Sequence, residues 1–218
     1  MDIVRLHYRI GEYFRKRRMA KFSKLFNINH HSRILDVGGT PFNWKFIESS
    51  PKIDLLNLNS SHVRARDLSQ NMSFIWGDGL DLKFPDSYYD IAFSNSAIEH
   101  VGTYENQRIF ASEIKRVGAG LFLQTPAREF FVEPHYLTVF IHWLPLSIQK
   151  RLLRNFSIWG IFTRPDDNLI QKNISEIRLL NKKEFCELFH DCNIVREKFL
   201  FFTKSYIAYR QPAKKLVH

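Results

Sequence analysis

Cysteine is scarce: only Cys186 and Cys192 occur in 218 residues. That excludes a disulfide framework, and their spacing matches no metal-binding pattern. Such usage predicts a reduced, cytoplasmic protein. Long hydrophobic runs are also missing. The longest uncharged apolar segment, Tyr136 to Gln149, contains Pro145 and falls short of the roughly 18–20 residues a membrane span needs. It suits a membrane interface or a hydrophobic cleft. No uninterrupted apolar stretch follows the N-terminal charges, so no secretory signal is expected. The Asn-x-Ser triplets at Asn59, Asn155 and Asn173 then read as chance matches. Internal repeats, low-complexity tracts and linker-like stretches are absent, which predicts a single domain over residues 1–218. No clustered His/Cys/Asp set demands a metal.

What is present describes a folded chain: 44% hydrophobic residues, 25% charged residues and twenty phenylalanines. The net charge of +10 is unevenly placed. Residues 1–24 carry eight basic and two acidic side chains, whereas the rest carries 24 basic and 20 acidic ones. The basicity belongs to an N-terminal arm, residues 1–28, rather than to the body. Ile3, Leu6, Ile10, Tyr13 and Phe14 recur near helical spacing over 3–26, which predicts an amphipathic basic helix. Its charge points to peripheral contact with an anionic membrane through residues 1–24, and less to nucleic acid.

From residue 33 the pattern changes. A strand running into a glycine turn is expected over 33–40 and further strands at 52–59, 72–76, 89–94 and 120–124, with helices at about 42–49 and at 105–117, the latter turning Ile109, Phe110, Ile114 and Val117 inward. Alternation at this rhythm implies βαβ units and a parallel sheet covered on both faces. Residues 127–178 interrupt it with aromatics, prolines and basic groups around a helix at 146–156. A helix at 181–189 and strands near 194–201 and 204–210 close the chain.

In such sheets, ligands settle at the carboxyl ends of the strands. The first strand runs into Asp36-Val37-Gly38-Gly39-Thr40, where glycine lets backbone approach a ligand and the acid can meet an ammonium group. The second ends in Asn57-Leu58-Asn59, placing Asn59 where a dinucleotide fold offers a partner to a ribose hydroxyl. The third ends in Gly77-Asp78-Gly79-Leu80, the fourth in Ser94-Asn95-Ser96-Ala97-Ile98-Glu99-His100. A dinucleotide oxidoreductase is disfavoured, because the glycine loop lacks GxGxxG.

The runs ILDVGGT, LLNLN and GDGLDLKFPDSYYDIAFSNSAIEHV resemble the class I S-adenosylmethionine-dependent methyltransferases, especially the methyltransferase type 11-like branch. The resemblance is strong over residues 33–126 and looser over the closing segment 179–210. It implies an α/β fold: a Rossmann-like, doubly wound, mostly parallel seven-stranded sheet with an antiparallel last strand. It also implies S-adenosylmethionine as cofactor. Asp36, Gly38 and Gly39 would line its methionine end, and Asn59, with Asn57 in reserve, its ribose. Asp78 would address the adenine amino group, with Gly79 and Leu80 bordering the ring and Asn95 under the sulfonium. The loop reads GGTP rather than the commoner GxGxG, and Asn59 replaces the usual acid.

Methyl transfer from a sulfonium is an in-line displacement, so alignment matters most, and a hydroxyl acceptor also needs a base. Glu133 and His135, flanking Pro134 in the aromatic segment after the fifth strand, form a candidate oriented base, and His100 is a further candidate. They could equally be packing and capping residues. The expected activity is methyl transfer to a small-molecule or glycolipid acceptor, through a hydroxyl of a sugar, glycolipid or metabolite. The alternative is a non-catalytic membrane- or RNA-associated module on a methyltransferase-like fold.

Overall fold

A computed structural model describes residues 3–59 and 65–213. The chain forms two compact units, the first made of residues 1–95, 113–122 and 210–218, the second of 96–112 and 123–209. Sixteen helices and strands of regular structure follow one another in the order α1 (Ile3–Phe26), β1 (Arg33–Val37), α2 (Pro41–Trp44), β2 (Lys52–Asn57), β3 (Met72–Trp76), β4 (Tyr89–Asn95), α3 (Tyr104–Val117), β5 (Gly118–Pro126), β6 (Val132–Glu133), β7 (Thr138–Val139), α4 (Leu146–Phe156), α5 (Ile158–Thr163), α6 (Asp167–Glu176), α7 (Lys182–Leu188), β8 (Asn193–Phe199) and β9 (Phe202–Arg210). Seven strands make one mostly parallel sheet in the order β3-β2-β1-β4-β5-β9-β8, with β9 antiparallel to β8. The expected fold class is the one observed.

In the first unit, β1 pairs in parallel with β2 on one side and β4 on the other. Strand order therefore reverses at β1, the position where open α/β sheets leave a crevice at their carboxyl ends. Ile34, Leu35, Asp36 and Val37 are all buried, as befits a strand covered on both faces. Arg33 alone is exposed. Around it Leu55, Phe93 and Phe122 are fully buried, and the Phe93 and Phe122 rings stack 5.6 Å apart.

The basic N-terminal helix is part of this core. Phe22 has no exposed surface, and its ring lies 5.0 Å from Phe93, 5.2 Å from Phe122 and 6.0 Å from Trp44. The buried line is Phe14, Arg18, Met19 and Phe22, a stripe at helical spacing. Tyr13, expected on the apolar face, is 56% exposed and its hydroxyl accepts from Arg17 at 3.1 Å. Phe14, one residue on, takes the inward position instead. The side chains of Ile3, Arg5 and Leu6 lie outside the described residues.

Two other expectations need correction. The helix proposed for 42–49 is a single turn, because Phe46 and Ile47 donate to carbonyls three residues back, Asn43 and Trp44, and that tighter winding does not propagate. Ile109 is 38% exposed on α3, while Phe110, Ile114 and Val117 are buried as expected.

The second unit contains β6 and β7 as a short antiparallel hairpin and three helices, α4 to α6. Tyr136, Ile141, Leu153 and Ile170 form their shared core, with Trp159 packed against it. The Ser157 hydroxyl accepts from Gly160 N at 2.8 Å, opening α5. Asp166 accepts from Leu169 N at 2.7 Å, opening α6. Asn181 and Glu184 cap α7 reciprocally. Cys186 and Cys192 are free thiols.

If α1 belongs to the core, Phe22→Ala lowers stability by about 3–5 kcal/mol. Tyr13→Ala should change it by no more than about 0.5 kcal/mol. Urea unfolding of both variants measures the contrast; equal effects would remove α1 from the core.

Candidate active site

In the first unit the ends of β1, β2, β3 and β4 bring several predicted residues together. Gly38, exposed and at φ 76°, extends the β1–β2 ladder by donating to Leu56 O at 2.8 Å. Gly39 is buried, and a Cβ built on it would fall 1.9 Å from the Asp36 carboxyl. Only glycine lets the loop close over that acid. The Asn57 side-chain amide donates to Gly39 O at 2.9 Å and ties the loop to the end of β2. Ser94 Oγ donates to Val37 O at 3.0 Å, joining the ends of β4 and β1.

Asp36 is fully buried. Trp44 Nε1 donates to its Oδ2 at 2.8 Å, while no hydrogen bond reaches its buried Oδ1. Burial pushes its carboxyl up to about 7, against the pull of the Trp44 N–H. Trp44 escaped the sequence reading; its signal is an indole donor eight residues beyond the acid in a short helix. Asn95 is buried, and its Oδ1 accepts from the Arg18 guanidinium, a contact across 77 residues. Asp78 is exposed and accepts from Leu80 N at 2.9 Å, shaping its own turn with Gly79. Gly77 N donates to Asn57 O at 3.1 Å, so the Asp78 turn starts beside the end of β2. Asn59 lies exposed two residues past that strand.

The second unit gathers the other candidates. Glu133 is buried; its Oε1 holds His135 Nδ1 at 2.6 Å and its Oε2 accepts from Tyr136 N at 2.7 Å. His135 Nε2 stands 3.2 Å from His100 Nε2. Burial lowers the His135 pKa, but the hydrogen bond and charge of Glu133, with the charge of Glu99, outweigh it and leave it raised. His100 is held down at about 4 by surrounding protein and by His135. Glu99 is fully buried; its Oε2 accepts from Thr125 Oγ1 at 2.9 Å, and burial raises its pKa against the charge of His135.

A cavity of about 350 Å³ adjoins this group, lined by Glu133, Tyr136, His142 and Gln149 among others. Burial leaves the Tyr136 hydroxyl and His142 Nδ1 without hydrogen-bond partners. His142 Nε2 is bonded to Arg128 O at 2.9 Å.

Residues 48–120 match the family described as a methyltransferase domain. The matched segment carries that family's pattern, and the fold is that of the class I methyltransferases. It superimposes on magnesium protoporphyrin IX methyltransferase from Synechocystis PCC 6803, solved with bound S-adenosylhomocysteine, at TM-score 0.60 and 12% identity over 97% of this chain and 89% of that one. A Haloferax volcanii methyltransferase candidate in complex with the Trm112 activator gives TM-score 0.56 and 14% identity, over 95% and 94%. A candidate sarcosine dimethylglycine methyltransferase from Galdieria sulphuraria gives 0.56 and 16% over 87% of this chain, which spans only 64% of that relative's length. No curated protein sequence matches it.

S-adenosylmethionine is the cofactor of this methyltransferase family, and the strand ends of the first unit suit it. Among the described residues nothing bonds the buried Asp36 Oδ1 under the Gly39 turn, and a carboxylate of that kind would suit an ammonium group. The exposed Gly38 leaves backbone open to close approach.

The Asp36 carboxyl also sets a pH dependence. Unfolded, it loses its proton near pH ~4; folded, it keeps it to about 7. Stability contributed by that proton is whole below pH ~4, declines by up to about 1.4 kcal/mol per pH unit, and levels off above the folded value. Asp36→Asn removes the slope. Urea unfolding should show the variant gaining on the wild type between pH 4.5 and 8; a constant difference would contradict the buried acid.

Proposed function

We propose that this methyltransferase transfers the methyl group of S-adenosylmethionine to a hydroxyl of a small or medium acceptor such as a sugar, glycolipid or metabolite. The observation that carries the reading is the Glu133–His135 pair at 2.6 Å beside a cavity of about 350 Å³. That volume is in the range of small-ligand sites. The cavity's uncommitted Tyr136 hydroxyl and His142 Nδ1 offer one donor and one acceptor to a polar acceptor molecule.

When bound, the cofactor would supply an electrophilic methyl group on a sulfonium, its C–S bond giving way to a C–O bond with the bonding pair left on sulfur. The hydroxyl proton passes to His135, and Glu133 stabilises the resulting imidazolium. Asp36, Gly38 and Gly39 would hold the methionine end, Asn59, with Asn57 in reserve, the ribose, Asp78, Gly79 and Leu80 the adenine side, and Asn95 the sulfonium. Alignment of oxygen, methyl carbon and sulfur supplies the larger part of the acceleration, the base a smaller part.

Isothermal titration tests the cofactor half: one S-adenosylmethionine or S-adenosylhomocysteine per chain is expected, and folded protein binding neither would refute it. With an acceptor identified from a panel, Glu133→Gln should lower kcat by about two orders of magnitude with little change in KM. An unchanged kcat would remove the pair from catalysis.

A second reading concerns placement. Arg9, Lys16, Arg17 and Lys24 are exposed on α1, which favours contact of residues 1–24 with an anionic membrane. No helix of the described residues is long and apolar enough to cross one. Sedimentation with phosphatidylserine vesicles should show binding at low salt and release at high salt; no binding at low salt would exclude the contact.

A further inference from the structure

We propose that Glu99, His100 and His135 form a binding site for one divalent transition-metal ion of the zinc or manganese type. One donor atom from each lies within 4.8 Å of the others. Glu99 and His100 belong to a single 3-10 turn, Ile98–His100. His135 stands in the loop between β6 and β7. The sequence separates the two histidines by 35 residues, and the second unit brings their Nε2 atoms to 3.2 Å.

That distance fits a shared ion. Two nitrogens bound at about 2.0–2.1 Å with angles between square and tetrahedral lie about 2.8–3.4 Å apart. The ring planes cross at 88°, so the imidazoles converge edge-on at their nitrogens and do not stack. Glu133 already occupies His135 Nδ1. With the ring proton on that side, the Nε2 lone pair of His135 points toward His100.

The carboxylate is the independent observation. Glu99 is fully buried, Thr125 satisfies its Oε2, and no hydrogen bond of acceptable geometry reaches its Oε1. An unsatisfied carboxylate oxygen in the interior is costly, and a cation beside two imidazole nitrogens removes that cost. Glu133 completes the pattern from outside. It bonds the nitrogen of His135 that the ion does not use and is itself fixed by Tyr136 N. This is the carboxylate–histidine–metal arrangement that sets ring orientation and tautomer before an ion arrives.

Two imidazoles and one carboxylate suit borderline divalent ions and leave coordination positions open. With an ion bound, His135 Nε2 is a ligand and cannot take the acceptor's proton, so the base role belongs to the metal-free protein. In the metal-loaded protein an acceptor oxygen at an open position would have its hydroxyl pKa lowered and lose its proton to solvent. This consequence rests on the methyl-transfer reading. The site itself does not.

The test uses the full chain, stripped with chelator and titrated with ZnCl2 by calorimetry and with CoCl2 by visible absorption. Circular dichroism checks that each variant is folded. One ion per chain is expected, with Co(II) bands of a nitrogen- and oxygen-ligated site. His100→Ala and Glu99→Gln should weaken binding at least a hundredfold and tenfold, and Glu133→Gln by about 10–100-fold. Absence of stoichiometric binding by the wild type, or equal affinity in folded His100→Ala, would overturn the site; should that variant not fold, His100→Gln replaces it. S-adenosylhomocysteine titrated into the same preparation separates the two claims. Cofactor binding without metal binding refutes the metal site alone, and metal binding without cofactor binding refutes methyl transfer alone.

Discussion

A carboxyl group sealed under a glycine loop is the constraint on which the first unit turns. Asp36 is the penultimate residue of a strand buried from Ile34 onward, and its side chain has no exposed surface. Gly39 closes above it because no other residue leaves room for the acid. Asn57 then holds the loop to the neighbouring strand, and Trp44 supplies the one hydrogen bond the acid receives among the described residues. The arrangement is unfavourable for an empty pocket and favourable for one that receives a cation. Stability given up at Asp36 is the common cost of preorganising a charged site.

The N-terminal helix shows how charge and burial separate on one element. Its exposed cations account for much of the chain's net charge, while Phe14, Arg18, Met19 and Phe22 are committed inward. Arg18 is both: a buried cation whose guanidinium meets Asn95 at the end of β4. A positive group beside the residue assigned to the sulfonium implies that electrostatics at that strand end are set partly by α1. The basic stretch is therefore structural at one face and available to partners at the other.

Strands were legible because buried parallel strands write themselves as short apolar runs ending in polar or glycine-bearing turns. β3 and α4 fall on the residues expected from that pattern. Periodicity alone could not choose between Tyr13 and Phe14, adjacent aromatics that differ only in which face meets the core. α5 and α6 stayed hidden because six and ten residues are too short to show a helical period, although Ser157 and Asp166 carried the capping signal. In the sites, the residues read from strand ends were local in sequence. The partners missed were not: Arg18 with Asn95 and His100 with His135 depend on tertiary folding across 77 and 35 residues. Trp44 is nearer, but its direction toward Asp36 exists only once α2 has formed.

The strand ends of the first unit are proposed to hold S-adenosylmethionine, and a crystal structure of the full chain grown with S-adenosylhomocysteine is the decisive test. Density for the ligand is expected against Gly38 and Gly39, with its ammonium group turned to Asp36 and its adenine beside the Asp78 turn. Well-ordered ligand bound elsewhere, or crystals whose strand ends stay empty at saturating ligand, would contradict it.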